Sequence, residues 1–461
     1  MHFEIIESKG LAHKSYYLSD AGEALVVDPR RDCKVYLRIA ENDCAKIKYV
    51  LETHRNEDYV IGSIELQNLT DAEICHSKET PFKYGEHSLD DDETLQLGNL
   101  KIKILYTPGH TNDSLCYVIY KSRNIGTPPM AFTGDTLFAA DVGRTDLLGK
   151  DIQREQSSKL FNSLHEKVLT LGNYVIVYPG HGGGSVCGHH INHRQVTTIG
   201  YEKKTNPILT MGKEKFIETM MNQELLKPSY FTKMEQLNLN GPPLLQKASP
   251  SQAFNIVEFE RIMREYGTVI VDTREPGAFA GSHIPSSINI WLDGLSFFPG
   301  WILTYEQEIL LVTERKEDLE TAKTYLQRLG FDNIAGNLCP GIEGWRNSGK
   351  PVEQLKTLSA VGLKEKMDRN EISLVDVRSP NEREKGYIEG AERIYVGHLM
   401  DEAERLIRSK PIASICSVGN RSGLGASILK KAGFQEVYNV LGGMMAWENL
   451  GYPTKKDNIP H

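Results

Sequence analysis

The 461-residue chain lacks an excess of basic charge, a long apolar run and a paired-cysteine motif. With a formal net charge of −8 and both signs interspersed, it offers no basic stripe, which argues against nucleic acid as the main ligand. No apolar stretch approaches the ~20 residues of a bilayer span, so no membrane segment is expected. The opening MHFEIIESKGLAHKSYYL has neither a basic stretch followed by an apolar core nor a cleavage site, and a cytoplasmic location is expected. The seven cysteines (Cys33, Cys44, Cys75, Cys116, Cys187, Cys339 and Cys416) are odd in number and scattered, with no C-x-x-C pair. That usage suits reduced thiols better than a disulfide framework.

What is present is a succession of β-type runs separated by helix-like segments. The length exceeds one core, so two or three domains are expected. In the first part the runs are EALVVDP, IKYVLETH, LKIKILYTPGH, PMAFTGD and NYVIVYPGH. A Pro-, Ser- and Asn-rich stretch over 228–251 reads as a boundary. Beyond it the chain repeats itself: VIVDTREPGAFAGSHIPSSINI resembles LVDVRSPNEREKGYIEGAERI, with Asp272 matching Asp376, Gly330 matching Gly433 and Trp345 matching Trp447. Strands alternating with helices in each copy imply a parallel sheet covered on both faces. Domains are expected at 1–245, 250–352 and 356–461.

Four of the early runs end in a loop that carries a metal-ligand type within its first residues. These are His54 and Asp58, in Thr53-His54-Arg55-Asn56-Glu57-Asp58-Tyr59; His110; Asp135; and His181. Singly, such residues are ordinary turn formers and caps. All four together, three of them beside glycine, are most simply explained by strand ends that gather around one metal.

These loops resemble the metallo-β-lactamase superfamily, whose first motif is H-x-H-x-D-H, followed by loop His, Asp and His in this order. Within it, GDTLFAADVGRTDL and YPGHGGGSVCG resemble the persulfide dioxygenase branch. The resemblance implies an αββα sandwich and one iron held by His54, His110 and Asp135. It also implies oxidation of a low-molecular-weight thiol persulfide by O₂, with sulfite as product. Asn56 and Tyr59 stand where a dinuclear zinc hydrolase needs its second and third histidines. Two His and one carboxylate remain, a set suited to non-haem Fe(II), with zinc as the alternative metal. Asp58 and His181 are expected to orient ligands or water, Tyr59 to make a hydrogen bond near the metal, and Arg144 to contact the anionic end of the substrate. The stretch from Cys187 to His193 is expected to be a polar surface loop, with Cys187 a candidate persulfide acceptor.

In IASICSVGNRSGLGASILKKAGF a β run delivers Cys416 into a loop that leads straight into a helix. Backbone N–H groups and the helix N-terminus favour a thiolate there, and Arg421 is expected to support the loop or an anion. Four residues separate Cys416 from Arg421, one fewer than in the phosphate loop of cysteine phosphatases. The spacing, with the GGMMAWENLGYP finish, resembles rhodaneses, which implies two rhodanese-like α/β domains and sulfur transfer from thiosulfate or a persulfide. In the middle copy Thr313 stands where the cysteine belongs, and ILLVTERKED carries no Gly or Arg pattern. That copy is expected to be inactive. The rival readings are a thioester hydrolase of the glyoxalase II type and a sulfur-relay protein with a degenerate metal site. A homo-oligomer is expected.

Overall fold

Alternation is plain in LKIKILY: Leu100, Ile102 and Ile104 are buried, while Lys101 and Lys103 point away. One face of such a strand packs inward and the other meets water. The computed structural model describes residues 1–121, 128–223, 225–247 and 251–456. The expected domain limits at 250 and 461 lie outside them. The chain divides into two units, Met1–Lys247 with Gln327–Gly330, and Ala248–Leu326 with Phe331–His461.

The first unit contains two six-stranded sheets. One runs in sequence order through β1 (His2–Ser8), β2 (His13–Asp20), β3 (Glu23–Val27), β4 (Lys46–Leu51), β5 (Glu73–Ser77) and β6 (His87–Leu89). The other holds β7 (Thr94–Leu97), β8 (Leu100–Tyr106), β9 (Leu115–Lys121), β10 (Met130–Gly134), β11 (Ile176–Pro179) and β12 (Thr197–Thr198), again in sequence order. Tyr16, Leu18, Leu25, Val27 and Leu51 of the first sheet share a core with Ile102, Ile104, Tyr117, Phe132 and Tyr178 of the second. Each outer face is covered by helix: Tyr36, Ile39 and Leu66 pack on the first sheet, and Leu160, Leu164, Phe216 and Ile217 on the second. This is the αββα sandwich. Most strands here are too buried for a clean alternation, as β2, with seven of its eight residues buried, shows.

The second unit contains two five-stranded parallel sheets of one topology. The first is ordered β13 (Gln252–Phe254), β17 (Ile334–Leu338), β16 (Glu308–Val312), β14 (Thr268–Asp272), β15 (Ile288–Asn289). The second is ordered β18 (Lys356–Leu358), β22 (Val437–Val440), β21 (Ile412–Ile415), β19 (Ser373–Asp376), β20 (Glu392–Arg393). The repeat extends to single contacts. Arg274 grips Asp272 with bonds of 2.9 and 2.6 Å and donates to the Ser282 carbonyl; Arg378 does the same to Asp376, at the same two distances, and to the Gly386 carbonyl. The indoles of Trp345 and Trp447 donate to Pro351 and Pro453. Among the described residues no helix is long and apolar enough to cross a membrane.

Candidate metal centre and thiol site

His54 follows β4, His110 follows β8, Asp135 follows β10 and His181 follows β11, so strand ends of both sheets converge at one edge of the sandwich. All four side chains are buried. The Asp135 Oδ2 lies 3.4 Å from His110 Nε2 and 3.9 Å from His54 Nε2. Crowding at the strand ends needs glycine: at Gly134 (φ +47°) a Cβ would fall 2.6 Å from the Thr53 side chain.

Hydrogen-bond accounting fixes which ring nitrogens are free. The His110 Nδ1 is 2.9 Å from the Arg144 carbonyl, which can only accept, so Nδ1 carries the proton. The Thr53 hydroxyl donates to Asp28 Oδ2 at 2.7 Å and therefore accepts from His54 Nδ1 at 2.9 Å. In both rings Nε2 therefore faces the site, and neither Nε2 has a hydrogen-bond partner. Both oxygens of buried Glu57 likewise have no hydrogen-bond partner, and ligand atoms of His54, Glu57 and His110 lie within 4.8 Å of one another. Orphaned buried polar atoms cost ~1–3 kcal/mol each, and a shared cation satisfies them at once. The residues fit a metal.

Buried carboxylates shape the local electrostatics. Burial disfavours charge on both histidines; it wins at His54, whose pKa falls to about 4, whereas Glu57 and Asp135 overcome it at His110 and raise its pKa to about 9. Burial acts to raise the Asp135 pKa, but the imidazoles of His181, His54 and His110 hold the carboxyl well below its usual range. His181 sits between two carboxylates, with Nδ1 2.8 Å from Asp135 Oδ1 and Nε2 2.9 Å from Asp58 Oδ2. That placement suits the orienting part expected of Asp58 and His181.

Several expectations need correction. Arg144 does not reach toward a substrate: it is buried, pairs with Asp146 at 2.6 and 2.7 Å, and donates to the carbonyls of Val186 and Leu226. What it presents to the site is its own carbonyl, through His110. The Tyr59 hydroxyl has no hydrogen-bond partner; its ring packs against His13, with centroids 4.0 Å apart. Asn56 turns its amide to the His54 carbonyl, 3.2 Å away. The residues after Cys187 lie at or near the surface as expected, but Cys187 itself is buried; Asp141 Oδ2 accepts from the amides of His189 and His190 just beyond it. Its thiol lies with Asp58 and His181 as a second group of ligand types, and burial pushes its pKa well up. Sequence reasoning missed Glu57 and Thr53, although both lie inside the quoted loop.

The second candidate site is built at the end of β21. Cys416 is buried, its Sγ accepts from the Gly419 N–H at 3.1 Å, and the Ser422 hydroxyl lies 3.4 Å away. Helix Asn420–Lys431 begins immediately after Gly419. The loop is tied from behind by the turn after β22: the N–H groups of Gly442, Met444 and Met445 donate to the carbonyls of Val418, Cys416 and Ser417. Gly443 has φ +52°, and a Cβ there would meet the Cys416 carbonyl oxygen at 2.2 Å. Arg421 grips Glu382 with two bonds and donates to the Ser417 hydroxyl at 2.8 Å. Burial alone would raise the Glu382 pKa, but Arg421 brings it down to about 2. Arg421 therefore braces the loop. Glu382 is the partner of Arg421 that the sequence did not reveal. In the middle copy Thr313 follows β16 at the equivalent place, and a threonine there supplies no thiolate.

Comparison with known proteins locates both sites within recognised families. Residues 9–181 match the metallo-beta-lactamase superfamily, and residues 255–348 and 359–450 each match the rhodanese-like domain. A crystal structure of a metallo-beta-lactamase from Staphylococcus aureus is 30% identical with a TM-score of 0.65, covering 73% of this chain and 98% of that one. The mitochondrial persulfide dioxygenase of Homo sapiens is 29% identical over 225 residues, 46% of this chain and 78% of its own. A hydroxyacylglutathione hydrolase of Haemophilus influenzae is 27% identical over 231 residues, 45% of this chain and 98% of its own.

Proposed function

This chain belongs to the metallo-beta-lactamase superfamily and carries two rhodanese-like domains, and from that premise we propose that it is a persulfide dioxygenase and sulfurtransferase. In this reading the domains span 1–245, 250–352 and 356–461. The observation that carries it is the pair of buried Nε2 atoms of His54 and His110 without hydrogen-bond partners, set against the buried Asp135 carboxylate. Those three residues would hold one Fe(II). The iron would supply activation of O₂ and a common anchor for both reactants. Thr53 and the Arg144 carbonyl hold the two imidazoles in the tautomers that present Nε2, and His181 fixes the Asp135 carboxylate. Overall, one low-molecular-weight thiol persulfide, one O₂ and one water give one thiol, one sulfite and two protons.

At the other site the Cys416 thiolate attacks the outer sulfur of thiosulfate or of a persulfide. A new S–S bond forms on Cys416, the old one breaks, and sulfite or a thiolate leaves. The Gly419 amide and the helix N-terminus stabilise the sulfur anion. Zinc-dependent thioester hydrolysis is the second reading, favoured by Asp58, His181 and Cys187, whose ligand atoms would serve a second cation.

Protein purified without air, assayed by metal analysis, oxygen uptake with a preformed thiol persulfide, and sulfur transfer, tests the proposal. His110→Ala should lose the iron and oxygen uptake while retaining sulfur transfer. Cys416→Ser should show the reverse. Two tightly bound zinc ions with thioester hydrolysis, and no persulfide-dependent oxygen uptake, would replace the first reading by the second.

A further inference from the structure

The metal reading above assigns three protein ligands; the structure presents a fourth donor where the family motif does not have one. The superfamily's first motif places an imidazole at the position of Asn56. Here the Asn56 amide is committed to the His54 carbonyl, and its backbone carbonyl accepts from Asn238 Nδ2 at 2.7 Å. The loop therefore holds Asn56 away and turns the next residue inward. Glu57 is 1% exposed, and neither of its carboxylate oxygens has a hydrogen-bond partner. Its Oε1 is 3.1 Å from His110 Nε2, and its Oε2 is 3.9 Å from His54 Nε2.

Because His110 Nδ1 donates to the Arg144 carbonyl, Nε2 is the ring atom that faces Glu57. Although only 3.1 Å apart, that Nε2 and the Glu57 Oε1 have no hydrogen-bond partner, and a cation placed between them would bind both. A buried carboxylate without donors is also among the costliest arrangements in a protein interior. Both difficulties vanish if both atoms ligate one ion. Chain geometry gives a reason for the placement: the ligand is displaced by one residue along the loop, and a longer carboxylate arm replaces the imidazole.

We propose that Glu57 is a fourth protein ligand of the metal, resting on the reading that His54, His110 and Asp135 bind one iron. The donor set becomes two imidazoles and two carboxylates. Two anionic oxygens neutralise a dication and, being hard ligands, shift preference from zinc toward Fe(II) or Mn(II). The substitution at Asn56 is then a relocation of the ligand rather than a loss.

The test uses the full chain, purified without air as wild type, Glu57→Gln, Glu57→Ala and His110→Ala. Fe(II) binding is measured by competition with a chelator, and thermal unfolding is followed with and without Fe(II). Wild type should bind one iron, and His110→Ala should bind none. Both Glu57 variants should bind iron at least tenfold more weakly, with a smaller iron-induced rise in Tm. Without metal, Glu57→Gln should still fold, since neither carboxylate oxygen has a hydrogen-bond partner to lose. Wild-type affinity in both Glu57 variants, alongside loss in His110→Ala, would overturn Glu57 as a ligand and leave the metal site standing. Failure of the metal-free Glu57→Gln protein to fold would also overturn it, by showing that the carboxylate has a structural partner. A wild type without affinity for Fe(II) would overturn both readings.

Discussion

At the scale of single residues, the candidate metal site depends on hydroxyls and carbonyls as much as on the proposed ligands. The Thr53 hydroxyl joins Asp28 to His54 and sets which nitrogen of that ring faces the site. Thr53→Val keeps the shape and removes the link, leaving the ring free to present its proton to the site. Iron affinity should fall by about 10–100-fold, the usual effect of losing a partner that orients a metal ligand. Competition with a chelator reads this directly, and an unchanged dissociation constant would show that the ring is held by packing instead. The gathering of His54, His110 and Asp135 at one edge was legible in the sequence because each follows a β run. Thr53 and Glu57 were not: a hydroxyl beside a histidine and an acid in a loop are ordinary until burial and hydrogen bonding are known. Arg144 was misread for a related reason. Its partner Asp146 lies two residues on, but only the fold shows that both stay paired beneath the site.

At the scale of elements, the thiol loop is one strand end braced by a neighbouring helix start. Glu382, in helix Pro380–Glu384, receives Arg421 and Ser417 from the loop. Its pKa is lowered to about 2, so the ionised pair adds stability above the unfolded carboxyl value of about 4.3. That contribution fades as pH falls through the interval between them. Glu382→Gln should therefore destabilise the protein at pH 7 by about 1 kcal/mol, allowing for solvent screening of a partly exposed pair. The deficit should shrink as pH falls below about 4 and approach zero only below about pH 2. Equal deficits at pH 7 and pH 3 in denaturant unfolding would show that shape, not charge, carries the brace. The β–loop–helix order around Cys416 was readable from the run IASIC and the glycines after it. The brace was not, because Glu382 and Arg421 are far apart in sequence and their pairing is a product of sheet order.

At the scale of the whole molecule, one α/β unit occurs twice with the same strand order, the same Asp–Arg clamp and the same indole-to-proline bond, yet with one thiol loop. The internal repeat announced this duplication, and the αββα sandwich was legible from the loops that follow its strands. The limits of the first sandwich were harder to read, because its most buried strands carry no alternation. Thr313→Cys alone should create no sulfur transfer in a Cys416→Ser background, since the stretch after Thr313, ERKED, lacks the Gly419 and Arg421 pattern that follows Cys416. Robust transfer from thiosulfate by that double variant would refute the dependence on the loop.

The turn behind Cys416 carries a consequence for engineering. Gly443 leaves no space for a Cβ beside the Cys416 carbonyl, whereas at Gly341 (φ +61°), which has a similar backbone, the same space is open. The active loop is therefore not a portable cassette. Transplanting Cys416–Ser422 into the middle copy would leave it hanging over a hollow, and the graft must bring the Gly442–Met445 turn with it. The two strand ends form a single heritable unit whose halves lose their meaning when moved apart.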